Sequence, residues 1–129
     1  MEPSGQHPEQ RVLVVDDEPT NLRILSEILR PICRISAATG GRDALELARS
    51  QPFRLILLDV NMPDMNGFDV CRKLKSDGRT RDIPVIFISA VTTPEGRAEG
   101  LALGGIDFIG KPINPAEVQS RVKALLEQP

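Results

Sequence analysis

Four largely apolar runs in this chain each end on a group able to do chemistry. Arg11 to Val15 stops at Asp16, Asp17 and Glu18. Phe53 to Leu58, apolar apart from Arg54, delivers Asp59. Ile83 to Ile88 leads to Ser89, and Ile106 to Ile109 leads through Gly110 to Lys111. Short apolar runs bounded by Pro and Gly read as strands buried on both faces, as in a parallel sheet covered by helices. Ligands of such sheets bind outside the carboxyl ends of the strands, where all these groups sit. Singly, each has a plain explanation: Asp59 begins a turn, Asp16, Asp17 and Ser89 cap helices, and Lys111 lies on the surface. Their joint occurrence argues for one site.

Clustered carboxylates repel one another, and burying their charge is costly. Lys111 offsets part of it, and the remainder suits a divalent cation. Carboxylate and carbonyl oxygens without thiol or imidazole favour Mg2+, with Mn2+ as the alternative. A phosphate held by such an ion, a lysine and a hydroxyl, beside a free carboxylate, is an arrangement for phosphoryl transfer. Positioning and charge neutralisation do most of that work. Asp59 is the candidate nucleophile, giving an aspartyl phosphate.

Helices must connect these strands. Pro19 suits a first helical turn, and Leu22, Leu25, Ile28 and Leu29 keep helical spacing until Pro31. Cys33 to Ala37 reads as a further strand, Thr39-Gly40-Gly41 as a turn, and Asp43 to Ser50 as a helix. Asn66-Gly67 opens a helix to Ser76, Thr93-Pro94 one to Leu103, and Asn114-Pro115 one to Glu127. Gly96 and Gly100 each cost a helix about 1 kcal/mol relative to Ala, which predicts that 94–103 is marginal and mobile. Strand then helix, repeated five times, implies an α/β fold: a single (βα)5 domain whose parallel sheet has helices on both faces. Right-handed crossovers limit the topology, and the flavodoxin-like order 2-1-3-4-5 is the natural one. It makes strands 1, 3, 4 and 5 contiguous, so their end groups converge.

The 129 residues suffice for one core and are too few for two. Apolar residues make up 40% and charged residues 26%, as in ordinary soluble domains. A net charge of −2 and a pI near 5.4 argue against direct nucleic-acid binding. No stretch approaches the roughly 20 apolar residues of a membrane span. Residues 1–10 are polar, lack a secretory h-region and read as a flexible leader, so the cytoplasm is the default location. The domain is expected over 11–127. Cys33, Cys71 and the single His7 lack metal-ligand spacing. The two thiols read as buried and reduced.

The chain resembles a receiver domain of the two-component response-regulator family from about Arg11 to Leu126. The resemblance rests on Val-Leu-Val-Val-Asp-Asp-Glu-Pro at 12–19 and Leu-Ile-Leu-Leu-Asp-Val-Asn-Met-Pro-Asp-Met-Asn-Gly at 55–67. Ile-Ser-Ala at 88–90 and Gly-Ile-Asp-Phe-Ile-Gly-Lys-Pro at 105–112 complete it. It implies that Asp59 is the phosphoryl acceptor, that Asp17 ligates the metal directly and that Asp16 acts through water. Asn61 would offer its main-chain carbonyl to the metal, while its side chain and Val91 tune loss of the phosphoryl group. Lys111 would contact the acceptor or its phosphate, across a Lys111–Pro112 bond expected to be cis. Ser89 would shift to bond the phosphoryl oxygen, and Phe108 would swing inward as it does.

The implied donor is a histidine kinase or histidine phosphotransfer protein, with kinase specificity largely on helix 20–30. The response is a change of the 94–127 face that controls an output domain or partner, with a homodimer through that face as a family expectation. The segment Asn-Pro-Ala-Glu-Val at 114–118 resembles receivers attached to signalling-enzyme domains. Such a domain catalyses its own phosphorylation and dephosphorylation and is not a conventional turnover enzyme. Three other readings compete. A haloacid-dehalogenase-like phosphatase would place its nucleophile on the first strand in a DxD pattern. A flavin or nucleotide carrier would want a Gly-rich loop after that strand. A pseudo-receiver would bind partners without phosphorylation, against the complete acidic set here.

Overall fold

The structure, a computed structural model, describes residues 7–90 and 92–128. Its strands are β1 (His7–Val15), β2 (Cys33–Ala38), β3 (Leu55–Asp59), β4 (Val85–Ser89) and β5 (Asp107–Gly110). Its helices are α1 (Pro19–Leu29), α2 (Gly41–Ser50), α3 (Gly67–Lys75), α4 (Pro94–Ala102) and α5 (Pro115–Leu126). The strands are all parallel, in the order β2-β1-β3-β4-β5. This is the (βα)5 arrangement that the alternating pattern implied.

Every residue of β3 and β4 is buried, as expected for strands covered on both faces. Side chains alternate between faces with period two, giving two cores. On one face Leu13, Val15, Ile56, Leu58 and Phe87 meet α2 and α3. On the other, Val12, Val14, Leu55, Leu57 and Ile88 meet α1 and α5. Cys71 belongs to the first core and Cys33 to the second, so the sheet separates the thiols. Burial raises both thiols, Cys33 to about 12, which leaves them protonated and inert.

Several boundaries differ from the sequence reading by a residue or two, as α2 does in starting at Gly41 and not Asp43, and the starts of β1 and β4 have a clear physical cause. β1 begins at His7, so residues 7–10 join a strand that was expected to start at Arg11. Backbone pairing with β2 accounts for this, since His7 still pairs with Cys33 across a register irregularity. The remainder of the expected leader, residues 1–6, lies outside the described residues. β4 begins at Val85 because Pro84 has no N–H to donate, although its carbonyl accepts the Ile56 N–H at 3.0 Å. Among the described residues no helix is long and apolar enough to cross a membrane.

The glycines of α4 divide by role. The Gly96 N–H donates to Thr93 Oγ1 at 3.1 Å, capping the helix. Gly100 is the buried residue of α4, and a Cβ there would stand 3.0 Å from the Phe87 ring and 3.1 Å from that of Phe108. Gly100 thus lets α4 settle on an aromatic row. Phe68 meets Phe87 edge-on at 5.1 Å, and Phe87 meets Phe108 at 5.6 Å.

Candidate functional site

Strand register assembles the site. Val15 pairs with Leu58, so Asp16 and Asp59 emerge side by side, one residue further on. Asp59 pairs with Ile88, and Ser89 with Gly110, so Lys111 follows directly beside Ser89. Backbone bonds hold these ends: Asp16 N–H donates to Ala38 O at 3.2 Å, Val60 N–H to Ile88 O at 3.0 Å, and Lys111 N–H to Ser89 O at 2.9 Å.

Oxygens of Asp16, Asp17 and Asp59 all lie within 4.8 Å of one another. Asp16 and Asp59 are almost fully enclosed, at 1% and 2% exposure, and Asp17 is half-buried. The Lys111 ammonium bridges the two enclosed acids, 3.2 Å from Asp16 Oδ2 and 3.3 Å from Asp59 Oδ1. Burial pulls the lysine down, but the Asp59 and Asp16 carboxylates outweigh it and hold Lys111 above its usual range. Asp59 goes the opposite way from a paired acid. Burial first, then repulsion from Asp16, pushes it up to about 6, against the lowering effect of Lys111 and of the Asn61 N–H. One ammonium is too little for this cluster. Hard oxygen donors with surplus negative charge are what a divalent cation fits.

The helix-cap explanation fails for Asp16, Asp17 and Ser89. The N-cap of α1 is Glu18, whose side chain makes no capping bond. Asp16 Oδ1 instead accepts the Glu18 N–H at 2.9 Å, which turns the chain out of the strand. Thr93, not Ser89, caps α4. Ser89 is buried at the end of β4 with 2% exposure. Asn61 is exposed just beyond Asp59, with its backbone N–H bonded to the Asp59 carboxylate. The Lys111–Pro112 peptide is cis. Phe108 lies on β5, already buried beneath α4, with the Arg97 guanidinium 5.7 Å from its ring centroid. Val91 lies outside the described residues.

Sequence reasoning missed two neighbours of the site. Arg97 gave no signal, since a lone arginine on a weakly amphipathic helix has no marked face. Asp64 lies inside the 55–67 stretch and accepts the Gly41 N–H at 3.2 Å. The signal for it was a helix start at Gly40-Gly41 with no capping side chain of its own.

The family described as the response regulator receiver domain matches residues 12–123. The response regulator PleD of Caulobacter vibrioides is 44% identical over 116 residues, covering 89% of this chain and 26% of its own length. A probable cyclic di-GMP phosphodiesterase of Vibrio cholerae is 39% identical over 116 residues, covering 90% of this chain and 26% of its own. The chain thus spans about a quarter of these relatives. Among solved structures, the BeF3-activated receiver domain of DrrB, from Thermotoga maritima, superposes with a TM-score of 0.84 at 31% identity. That likeness covers 93% of this chain and 99% of the DrrB receiver.

Proposed function

The chain belongs to the response regulator receiver domain family, and on that premise we propose that Asp59 is its phosphoryl acceptor. The observation that carries this reading is the meeting of Asp16, Asp17 and Asp59 within 4.8 Å, with Lys111 across two of them. Mg2+, or Mn2+ in its place, would be held by these three carboxylates and the Asn61 main-chain carbonyl. Bound there, the ion neutralises the acids and the incoming phosphate oxygens. An oxygen of Asp59 attacks the phosphorus of a phosphohistidine. The P–N bond breaks, and its electron pair leaves with the imidazole of a histidine kinase or phosphotransfer protein. Lys111 is within reach of a phosphoryl oxygen on Asp59, and the Ser89 hydroxyl donates to another. Both bonds are charge-assisted and so among the stronger ones.

Phosphorylation adds about −1.5 to −2 charge, and it biases a surface with two arrangements. Ser89 and Phe108 form the switch, and the enclosed Phe108 corresponds to the inward arrangement. The face of α4, β5 and α5 is the output surface. Leu101 and Ile106 are exposed on it, which favours a homodimer or partner there. The chain phosphorylates and dephosphorylates itself and turns over no separate substrate, with Asn61 and Val91 setting the lifetime. Its place is the cytoplasm. The Vibrio relative's name, with the 114–118 segment, favours an output that handles a cyclic dinucleotide. The phosphatase alternative has its nucleophile on the first strand, whereas Asp59 ends β3.

Mn2+ titration followed by water-proton relaxation tests the metal site, and beryllofluoride with Mg2+ tests the switch. One saturable Mn2+ site should appear, and beryllofluoride should move the amide signals of β4, α4 and β5. Lys111→Ala should lose that response more completely than it loses Mn2+. Absence of saturable Mn2+ binding at millimolar levels would refute the proposal.

A further inference from the structure

We propose that Asp64 is a positioning residue for this site: its carboxylate fastens the loop between β3 and α3 to the start of α2, and so fixes the backbone at Asn61. The inference rests on the reading of the Asn61 carbonyl as a metal-binding position.

The first N–H groups of a helix have no partner within it. The N-cap of α2 is Gly40, which has no side chain to offer them. Asp64 supplies the missing acceptor from 23 residues away, with Oδ2 taking the Gly41 N–H at 3.2 Å. A carboxylate is also the favourable charge at this end of a helix dipole. The glycine pair allows the contact. A Cβ on Gly40 would come within 2.9 Å of that same Oδ2. One on Gly41 would stand 2.8 Å from Val70 Cγ2 and 2.9 Å from Met65 Cβ. Two successive side chains of the loop therefore press on the start of α2 where any larger residue would push them away.

The base of the loop is closed separately. Gly67 N–H donates to Val60 O at 2.8 Å, and Asn66 caps α3 by accepting the Asp69 N–H at 2.9 Å. Pro63 stiffens the span between. Asn61 thus lies in a loop anchored at its base by Val60 and Gly67 and beyond its midpoint by Asp64. Asp64 itself is not among the three clustered acids. It acts through the loop backbone, one step further out than the partners that bond metal ligands directly.

Asp64→Ala and Asp64→Asn in the whole chain test this, with Mn2+ affinity and the Gly41 amide proton shift as readouts. Melting curves and circular dichroism check the fold. Asn keeps an acceptor oxygen and loses the charge. Asp64→Ala should move the Gly41 proton upfield and weaken Mn2+ by about 10-fold, the low end for loss of an outer partner. Asp64→Asn should restore most of the affinity. Equal weakening by both variants would overturn the proposal, because the charge and not the tie would then matter. Unchanged affinity in Asp64→Ala, despite a moved Gly41 signal, would overturn it as well. Failure of the unsubstituted chain to bind Mn2+ would remove the site reading and this inference with it.

Discussion

Asp59 is held in a state that favours its own neutralisation. Its carboxyl titrates near 6 instead of the ordinary 3.8, because burial and Asp16 disfavour its charge more than Lys111 and the Asn61 N–H support it. With the folded value above the unfolded one, its contribution to stability is complete below about 4 and is lost as pH rises through about 6. A divalent cation should therefore help most where Asp59 is charged. Mg2+ should raise the melting temperature strongly at neutral pH and weakly near pH 5, as calorimetry can measure; equal increments would contradict the assignment. By the same sign, Asp59→Asn should stabilise the metal-free fold at neutral pH, by an amount on the order of 2 kcal/mol. A denaturant melt that showed it less stable than the parent would argue against buried repulsion at this position. Arg97 makes a separate contribution at this scale. A guanidinium over a ring at an exposed site is worth about 0.5–1 kcal/mol, so Arg97→Ala should move the proposed Phe108 equilibrium away from the enclosed position seen here by about two- to five-fold. Ring signals of Phe108 report that equilibrium directly.

At the scale of elements, α4 buries one residue, Gly100, where α5 buries Val118, Val122, Leu125 and Leu126, and at Gly100 its shape is tightly constrained. Gly100→Ala removes a helix penalty of about 1 kcal/mol. The new Cβ would stand 3.0 Å from the ring of fully buried Phe87, which has nowhere to move. Overpacking of this kind costs roughly 1–3 kcal/mol, so the net effect should be a loss of about 1 kcal/mol in chemical denaturation and a shift in the Phe108 signals. A gain in stability would mean that the close packing of α4 on the aromatic row is looser than described. The α5 end is held differently. Arg54, just before β3, donates to Leu125 O at 3.0 Å and Gln128 O at 3.1 Å, closing the last turn of α5.

For the whole molecule, what the sequence made legible was whatever depends on local pattern. Apolar runs fixed the strands, 3.6-residue spacing fixed the helices, and strand order followed from the handedness of crossovers. The joining of Asp16, Asp17 and Asp59 followed in turn, because register carries residues at equivalent strand ends to the same place. Contacts between side chains far apart in the chain were not legible. Asp64 on Gly41, Arg54 on α5 and Arg97 over Phe108 each depend on how two elements pack, and composition and spacing carry no record of that. Gly100 was read only in part for the same reason: its cost to an isolated helix is visible in sequence, while its fit against Phe87 and Phe108 exists only in the fold. The start of β1 shifted because a strand is set by its neighbour's backbone as much as by its own side chains.

Asp59 is proposed to take up a phosphoryl group with the help of the surrounding acids and Lys111. Intact mass after incubation with Mg2+ and a small acyl phosphate tests it most directly, alongside Asp59→Asn and a sample stripped of metal. The parent chain should gain the mass of one phosphoryl group, stable in acid and lost in base, and neither control should gain it. Equal labelling of Asp59→Asn, or labelling indifferent to Mg2+, would contradict the account.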